Sequence, residues 1–254
     1  MPIAPDDPDF VNALARGLSV ITCFGQNSER LTLSNIAEKT GLSRGTARRF
    51  LLTLESLGYL RSDGSFYRLA PKTLSLGYAY LSSLPLWKAA QPIMQDVVDE
   101  LDESCSLGVI DGQDVVYIAR IPPKHLSYLP VNLGTRMPAH INAMGQVLLS
   151  GLSPKELDDY FRKTKFEKLT KYTLSNEKDI RAALVRVKED RYALSDRQLH
   201  AGIRSIAVPI RTKAGRIDAA LNASAEEGRA SKRDLLQRFL PVLRRAAEQL
   251  SHRL

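Results

Sequence analysis

The sequence predicts an α+β chain of two domains, and three observations carry that expectation. In residues 1–70, helix-spaced apolar positions lead through a glycine break to a short strand pair around Asp63-Gly64. Beyond residue 87 the grammar changes to two longer strand pairs separated by helices. The length, 254 residues, suits two ordinary domains. With 44% hydrophobic and 25% charged residues the chain can bury real cores, which excludes disordered and collagen-like classes.

Residues 1–9 form a polar tail. Phe10, Leu14, Leu18 and Ile21 then recur as one buried helical face, predicting a helix over 10–24. After a loop at 25–30, Leu33, Ile36 and Ala37 mark the inward face of a short second helix that Gly41 ends. Ser43 is placed to cap a third helix over 44–57, whose apolar set is Ala47, Phe50, Leu51, Leu54 and Leu57 and whose stop is Gly58. Residues 59–69 read as a tight hairpin. A connecting helix is expected within 71–86 (Leu74, Gly77, Tyr78, Leu81), ended by Pro85, and a further helix over 87–104 turns Ile93, Val97, Val98 and Leu101 inward. Strand pairs follow at 105–110 with 115–121 around Asp111-Gly112, and at 203–210 with 216–224 around Ala214-Gly215. Two helices are expected between them, one from about Asn142 and one capped by Ser153 with Pro154 and Glu156, a capping box. An amphipathic helix from about Ser231 closes the chain, with Leu235, Leu236, Phe239, Leu243, Ala246 and Leu250 as its apolar set and a kink at Pro241. No internal repeat is found.

Composition narrows the function classes. No apolar run reaches the roughly 20 residues of a membrane span, and the acidic, proline-containing start is unlike a secretory leader. Cys23 and Cys105 stand far apart without CxxC spacing, so neither a disulfide framework nor a zinc site is expected, and the natural compartment is the reducing cytoplasm. The net charge of +8 suggests a polyanionic partner, yet residues 1–70 hold eight Lys/Arg against seven Asp/Glu. The basic excess therefore lies in the second half, where it reads as a solvated face. A few well-placed arginines, not the overall pI, mark the nucleic-acid surface.

Helix, short helix, glycine turn, helix and hairpin is the order of a winged helix-turn-helix, whose third helix enters the major groove. With the apolar set inward, Arg44, Thr46, Arg48, Arg49 and Thr53 are left outward, able to fork onto guanine edges or grip phosphates. Gly45 permits close approach, Ser43 lies at the same helix start, and Thr32 and Ser34 flank the second helix where N–H groups and hydroxyls hold phosphate. The wing adds Arg61, Tyr67 and Arg68. Gly41-Leu42-Ser43-Arg44-Gly45 also matches the G-x-S-x-G nucleophile elbow, but that motif needs a strand before it, and here a helix precedes.

Over nearly its whole length, from about Phe10 to Leu250, the sequence resembles the IclR family of bacterial transcription regulators. The resemblance is carried by Leu33-Ser34-Asn35-Ile36-Ala37, Gly41-Leu42-Ser43-Arg44-Gly45-Thr46 and Leu57-Gly58-Tyr59-Leu60 in the first half. In the second half it is carried by Gly134-Thr135-Arg136-Met137-Pro138-Ala139-His140 and Gly202-Ile203-Arg204-Ser205-Ile206-Ala207-Val208-Pro209. The run 196–209 resembles the branch that controls aromatic-acid catabolism (protocatechuate, 4-hydroxybenzoate, β-ketoadipate), with Gln198 where Glu is usual and Ser205 where other branches carry Cys. The resemblance implies a winged helix-turn-helix at 10–70, a linker helix at 71–86 and a GAF-like α/β effector-binding domain at 87–254. It further implies a dimer, or dimer of dimers, on a partly palindromic operator.

The same resemblance puts Ala143, Met144, Asp196, Ser205, Asn222 and Ser224 in the effector pocket. Asn222 and Ser224, two apart on a strand, share a face, and Asn142, Ala143 and Met144 begin a helix whose N–H groups suit a carboxylate. His140 and Arg204 are near in sequence and complement an anion. His125, His200 and His252 lack metal-ligand spacing, and no HExxH, Walker loop or GxGxxG occurs, so no metal or nucleotide cofactor is expected. The expectation is a non-enzymatic, ligand-responsive DNA-binding regulator. Competing with it are an enzyme acting on a small organic acid with an appended DNA-binding domain, and a purely architectural DNA binder.

Overall fold

The structure, a computed structural model, describes residues 3–25, 28–125 and 131–253; Gln26 and Asn27 of the expected 25–30 loop lie outside it. The chain divides into two compact units, 1–81 and 82–254.

The first unit begins with α1 (Asn12–Thr22), α2 (Leu33–Thr40) and α3 (Arg44–Ser56). Thr32 and Asn35 close a capping box at the start of α2, Gly41 takes a left-handed φ of 67° at its end, and the Ser43 hydroxyl accepts from the Thr46 N–H to start α3. These caps make the turn between α2 and α3 a defined angle. Strands β1 (Leu60–Ser62) and β2 (Tyr67–Leu69) pair antiparallel as the wing. Val20, Leu31, Ile36, Leu51, Leu54 and Leu60 form the core. Two expectations fail here. Leu14 and Leu18 are 63% and 48% exposed, because α1 turns Val20 and Ile21 to the core and packs Gly17 against Phe50. Leu57 is the C-cap of α3 and is exposed as well. A 3-10 turn (Pro71–Thr73) leads into α4 (Leu74–Ser82).

The second unit starts with α5 (Pro85–Leu101), so Pro85 opens this helix at its first turn, where a missing N–H costs nothing. Helix α5 stops before residue 104 because Asp102 adopts φ 55°, and Ser104 already belongs to the sheet. Six strands follow in the order β5-β4-β3-β8-β7-β6, every neighbour antiparallel. They are β3 (Ser104–Asp111), β4 (Asp114–Ile121), β5 (Arg136–Pro138), β6 (Ala193–Asp196), β7 (Ile203–Arg211) and β8 (Ile217–Glu226). One face is covered by α5 and by α10 (Leu240–Ser251). The other is covered by α6 (Ala143–Ser150), which packs on β3, β7 and β8. Gly145 lets α6 approach the preceding turn, since a Cβ there would run into the Ala139 backbone.

Helix α7 (Pro154–Lys163) carries the expected capping box of Ser153 and Glu156. Helix α8 (Glu177–Asp190) and strands β5 and β6 were not anticipated: three helices, not two, separate the strand pairs. The chain ends with a helical turn, α9 (Lys232–Asp234), a π-turn at Leu235–Phe239 and α10. The widened π-turn sits just ahead of Pro241, whose ring and missing N–H an ordinary α-turn would not accommodate. Leu236 points partly to solvent instead of joining the apolar stripe.

Candidate functional site

The first unit presents a basic face built on α3. Arg44, Gly45, Arg48, Arg49 and Thr53 are exposed, while Thr46 is half-buried and accepts from the Ser43 hydroxyl at 2.9 Å. None of Arg44, Arg48 and Arg49 makes an ion pair among the described residues, so their guanidinium groups stand available to an external anion. Thr32 is spent on its capping box, both accepting from the Asn35 N–H and donating to the Asn35 amide oxygen, whereas Ser34 is exposed beside it. On the wing, Arg61 and Arg68 are directly opposite cross-strand partners and both exposed. Like charges so placed repel unless an anion bridges them. The wing tip is held by Asp63, which accepts from the Phe66 and Ser65 N–H groups and pairs with Arg30 at 2.7 Å. The Phe66 N–H above all keeps the Asp63 carboxyl below its ordinary pKa.

In the second unit, sheet register assembles a polar floor under α6. Ser104, Ser224, Ser205 and Ser195 are successive cross-strand partners on β3, β8, β7 and β6, so their side chains share one face. The next row joins Arg120 of β4, Ser106 of β3 and Asn222 of β8. Asn222 donates to the Ser224 hydroxyl at 3.0 Å, leaving its buried amide oxygen without a partner among the described residues. Above this floor a cavity of about 20 Å³, room for a single water, is walled by Tyr117, Arg120, Met137, Asn142, Ser205 and Ser224 among others. Asn142 donates to the Tyr117 hydroxyl at 2.9 Å, and burial raises the Tyr117 pKa against that bond.

Arg120 is half-buried, and its side chain makes no hydrogen bond or ion pair among the described residues. Burial lowers its pKa, opposed by Tyr117. The other half-buried arginines are engaged: Arg197 and Arg204 with Asp196 and Glu227, Arg181 with Asp158 and Glu177, and Arg211 with the Gly215 carbonyl. A cation in this position is the feature of the cavity that asks for an anionic ligand.

The expected pocket residues divide. Asn142, Ser205 and Ser224 line the cavity, and Asn222 adjoins it through Ser224. Asp196 and Arg204 pair with each other on the opposite face of the sheet, because residues adjacent in a strand alternate; Ser195 takes the cavity face instead. Arg204 donates to Asp196, to Glu227 and to the Glu227 and Ala230 carbonyls, and is satisfied there. Burial opposes ionisation of Asp196, but Lys232, Arg204 and Arg197 outweigh it and hold its pKa low. Ala143 and Met144 belong to the apolar core, and Asn142 itself accepts from the Met144 and Gly145 N–H groups, so this helix start is already capped. His140 lies elsewhere, bordering a separate cleft of about 330 Å³ with Lys163 and Lys165, its Nδ1 3.2 Å from the Tyr160 hydroxyl. Gln198 is buried outside the cavity lining.

Arg120, Tyr117, Met137, Ser195 and His200 were not anticipated at the cavity. The available signal was Arg120, a charge ending the otherwise apolar run Val115–Ala119 of a buried strand. The described residues hold no group of three or more His, Cys, Asp or Glu able to bind a metal ion, and none of their helices is long and apolar enough to cross a membrane.

Comparison with known proteins matches residues 13–64 to the IclR helix-turn-helix domain and residues 78–252 to the bacterial transcriptional regulator IclR C-terminal domain. The Pca regulon regulatory protein of Pseudomonas putida is 40% identical over 249 residues, 98% of this chain and 86% of that one. A crystal structure from Rhodococcus sp. RHA1, of a protein named as a transcriptional regulator, superposes with a TM-score of 0.87 at 42% identity, covering 96% of this chain and 98% of that one. The inducer-binding domain of the Acinetobacter PobR transcription factor, a double mutant solved with 3-hydroxybenzoic acid, is 31% identical with a TM-score of 0.61, covering 66% of this chain and 97% of that one.

Proposed function

We propose, on the premise that this chain belongs to the IclR family of bacterial transcriptional regulators and is a regulator rather than an enzyme, that it senses a hydroxylated aromatic carboxylate and controls catabolic genes in the cytoplasm. The observation that carries this reading is Arg120, a half-buried cation without an anion among the described residues, at the end of the row that holds Ser106 and Asn222. The guanidinium pairs the carboxylate, and Ser205, Ser224, Asn222 and Tyr117 exchange hydrogen bonds with ring hydroxyls. The complex of the PobR domain with 3-hydroxybenzoic acid supports the same ligand class, and the Pca regulon protein supports the role of a regulator.

At about 20 Å³ the cavity is far below the usual 300–1,000 Å³ of ligand sites, so binding must open it. That opening is the differential interaction that shifts the protein between operator-competent and incompetent populations. We assign the reading domain to 10–70, with Arg44, Arg48 and Arg49 on the groove and Arg61 and Arg68 on phosphates, the connection to 71–86 and the sensing domain to 87–254.

The test is operator binding by fluorescence anisotropy, repeated while protocatechuate, 4-hydroxybenzoate or β-ketoadipate is titrated in. Arg48→Ala is expected to weaken operator binding by about 1–3 kcal/mol with acid affinity unchanged. Arg120→Met is expected to keep operator binding and lose the response to acid. Wild-type operator affinity in Arg48→Ala would misplace the recognition helix, and an unaltered response in Arg120→Met would overturn the assigned anchor.

A further inference from the structure

Next to the closed chamber lies a second cleft, open to about 310 Å³, walled by Trp87, Gln91, Pro122, Asn132 and Leu133. Its volume falls in the range of small-molecule sites, whereas that of the chamber does not. Arg120 and Val131 line both spaces. They are therefore the partition between them, and the cation of the partition is the one argued above to lack an anion among the described residues.

We propose that this cleft is an outer binding site for an aromatic carboxylate, which docks there before passing into the chamber. The inference rests on the reading of the chamber as the effector site. Its chemistry follows from its walls. Trp87, half-buried on the first turn of α5, lines the cleft together with Pro122, Val131 and the 56% exposed Leu133, an aromatic and apolar wall suited to a ring. Arg120 supplies the charge for the carboxylate. Because its side chain belongs to both spaces, the same guanidinium keeps the carboxylate paired while the ring moves inward, and the bare anion is never left in a dry passage. Val131, buried at 5% exposure, is the apolar half of the partition and has to yield during the transfer.

Trp87 is the sole tryptophan of the chain, so emission excited selectively from tryptophan reports on this cleft. The experiment titrates 4-hydroxybenzoate into the full-length protein, following tryptophan emission and melting temperature together. It is run on wild type, on Ser205→Val and, as an independent plug of the chamber, on Ser224→Val. Wild type is expected to show a saturable emission change and a rise in melting temperature. The plugged variants are expected to keep the saturable emission change while losing most of the thermal shift, and Arg120→Met to lose both. A wild type that is stabilised, with plugged variants showing no emission change, would overturn the outer site and leave the chamber reading intact. A saturable emission change in wild type with a thermal shift no larger than that of the plugged variants would sink the chamber reading while the cleft stands. Neither signal in wild type would sink both.

Discussion

His140 illustrates how a single side chain ties burial to pH. It is 2% exposed, its Nδ1 lies against the Tyr160 hydroxyl, and its Nε2 has no partner among the described residues. Burial lowers its pKa from the ordinary 6.5 and raises that of Tyr160 to about 12. The folded state therefore keeps the imidazole neutral where the unfolded chain begins to protonate. This contribution to stability is complete above about pH 6.5 and is lost as the pH falls below it towards the depressed folded value, with a slope of at most about 1.4 kcal/mol per pH unit. Urea unfolding between pH 7 and pH 5 is expected to show His140→Gln losing less stability than wild type over that interval, whatever its starting stability; parallel slopes would refute the assignment. The residue scale is also where sequence reasoning was weakest. Arg204 and His140 are anion candidates because they stand near the pocket motifs in sequence, but Arg204, one residue along the strand from Ser205, is on the other side of the sheet, and His140 lies in a 3-10 turn that borders a separate cleft. Asn222 and Ser224 share one face, as expected, because a spacing of two on a strand needs no knowledge of register.

At the scale of elements, the helix-turn-helix, the wing and the long strand pairs were legible because each is punctuated: Gly41, Ser43, Asp63-Gly64, Gly112 and Gly215 sit where the backbone demands them. Strands β5 and β6 were invisible, being three and four residues long and sheet members only through their partners. Helix α8 escaped because its buried stripe is only Ile180, Leu184 and Val187, diluted by charges and by a solvent-facing Val185. The wing permits a prediction that separates folding from binding. Arg61 and Arg68 oppose each other across the hairpin, so neutralising one removes a repulsion worth a few tenths of a kcal/mol in the free protein. On DNA the same pair faces phosphates. Arg61→Gln and Arg68→Gln are each expected to leave the melting temperature unchanged or slightly raised. Each should also weaken binding to every DNA sequence alike and reduce the slope of log K against log salt by about 1. A variant with an unchanged salt slope would remove that arginine from the interface.

At the scale of the whole molecule, the charge of +8 and the apolar surface point in different directions. Only +1 of that charge lies in residues 1–70, so net attraction to DNA is weak for a single reading unit, and affinity has to come from placing two such units on one site. The apolar surface offers the means. Val11, the N-cap of α1, and Leu14 and Leu18 on the helix are 62%, 63% and 48% exposed, and Leu74, Leu76, Tyr78 and Tyr80 are exposed on α4. A lone exposed leucine needs no explanation, but a run at helical spacing on a helix whose other face already serves the core is the pattern of a surface that pairs with another chain. The stripe was visible in the sequence and was assigned to the core, because periodicity reports that a face is apolar and not what covers it. We therefore expect a homodimer joined through α1. Leu18→Asp should leave the unfolding free energy of the monomer within about 0.5 kcal/mol, since Leu18 is outside the core. It should halve the mass found by sedimentation at micromolar concentration and weaken operator binding by about a hundredfold or more, the loss of a linked second half-site. If the variant sediments as wild type does, the stripe is not the joint, and two-fold recognition of the operator must be built elsewhere on the chain.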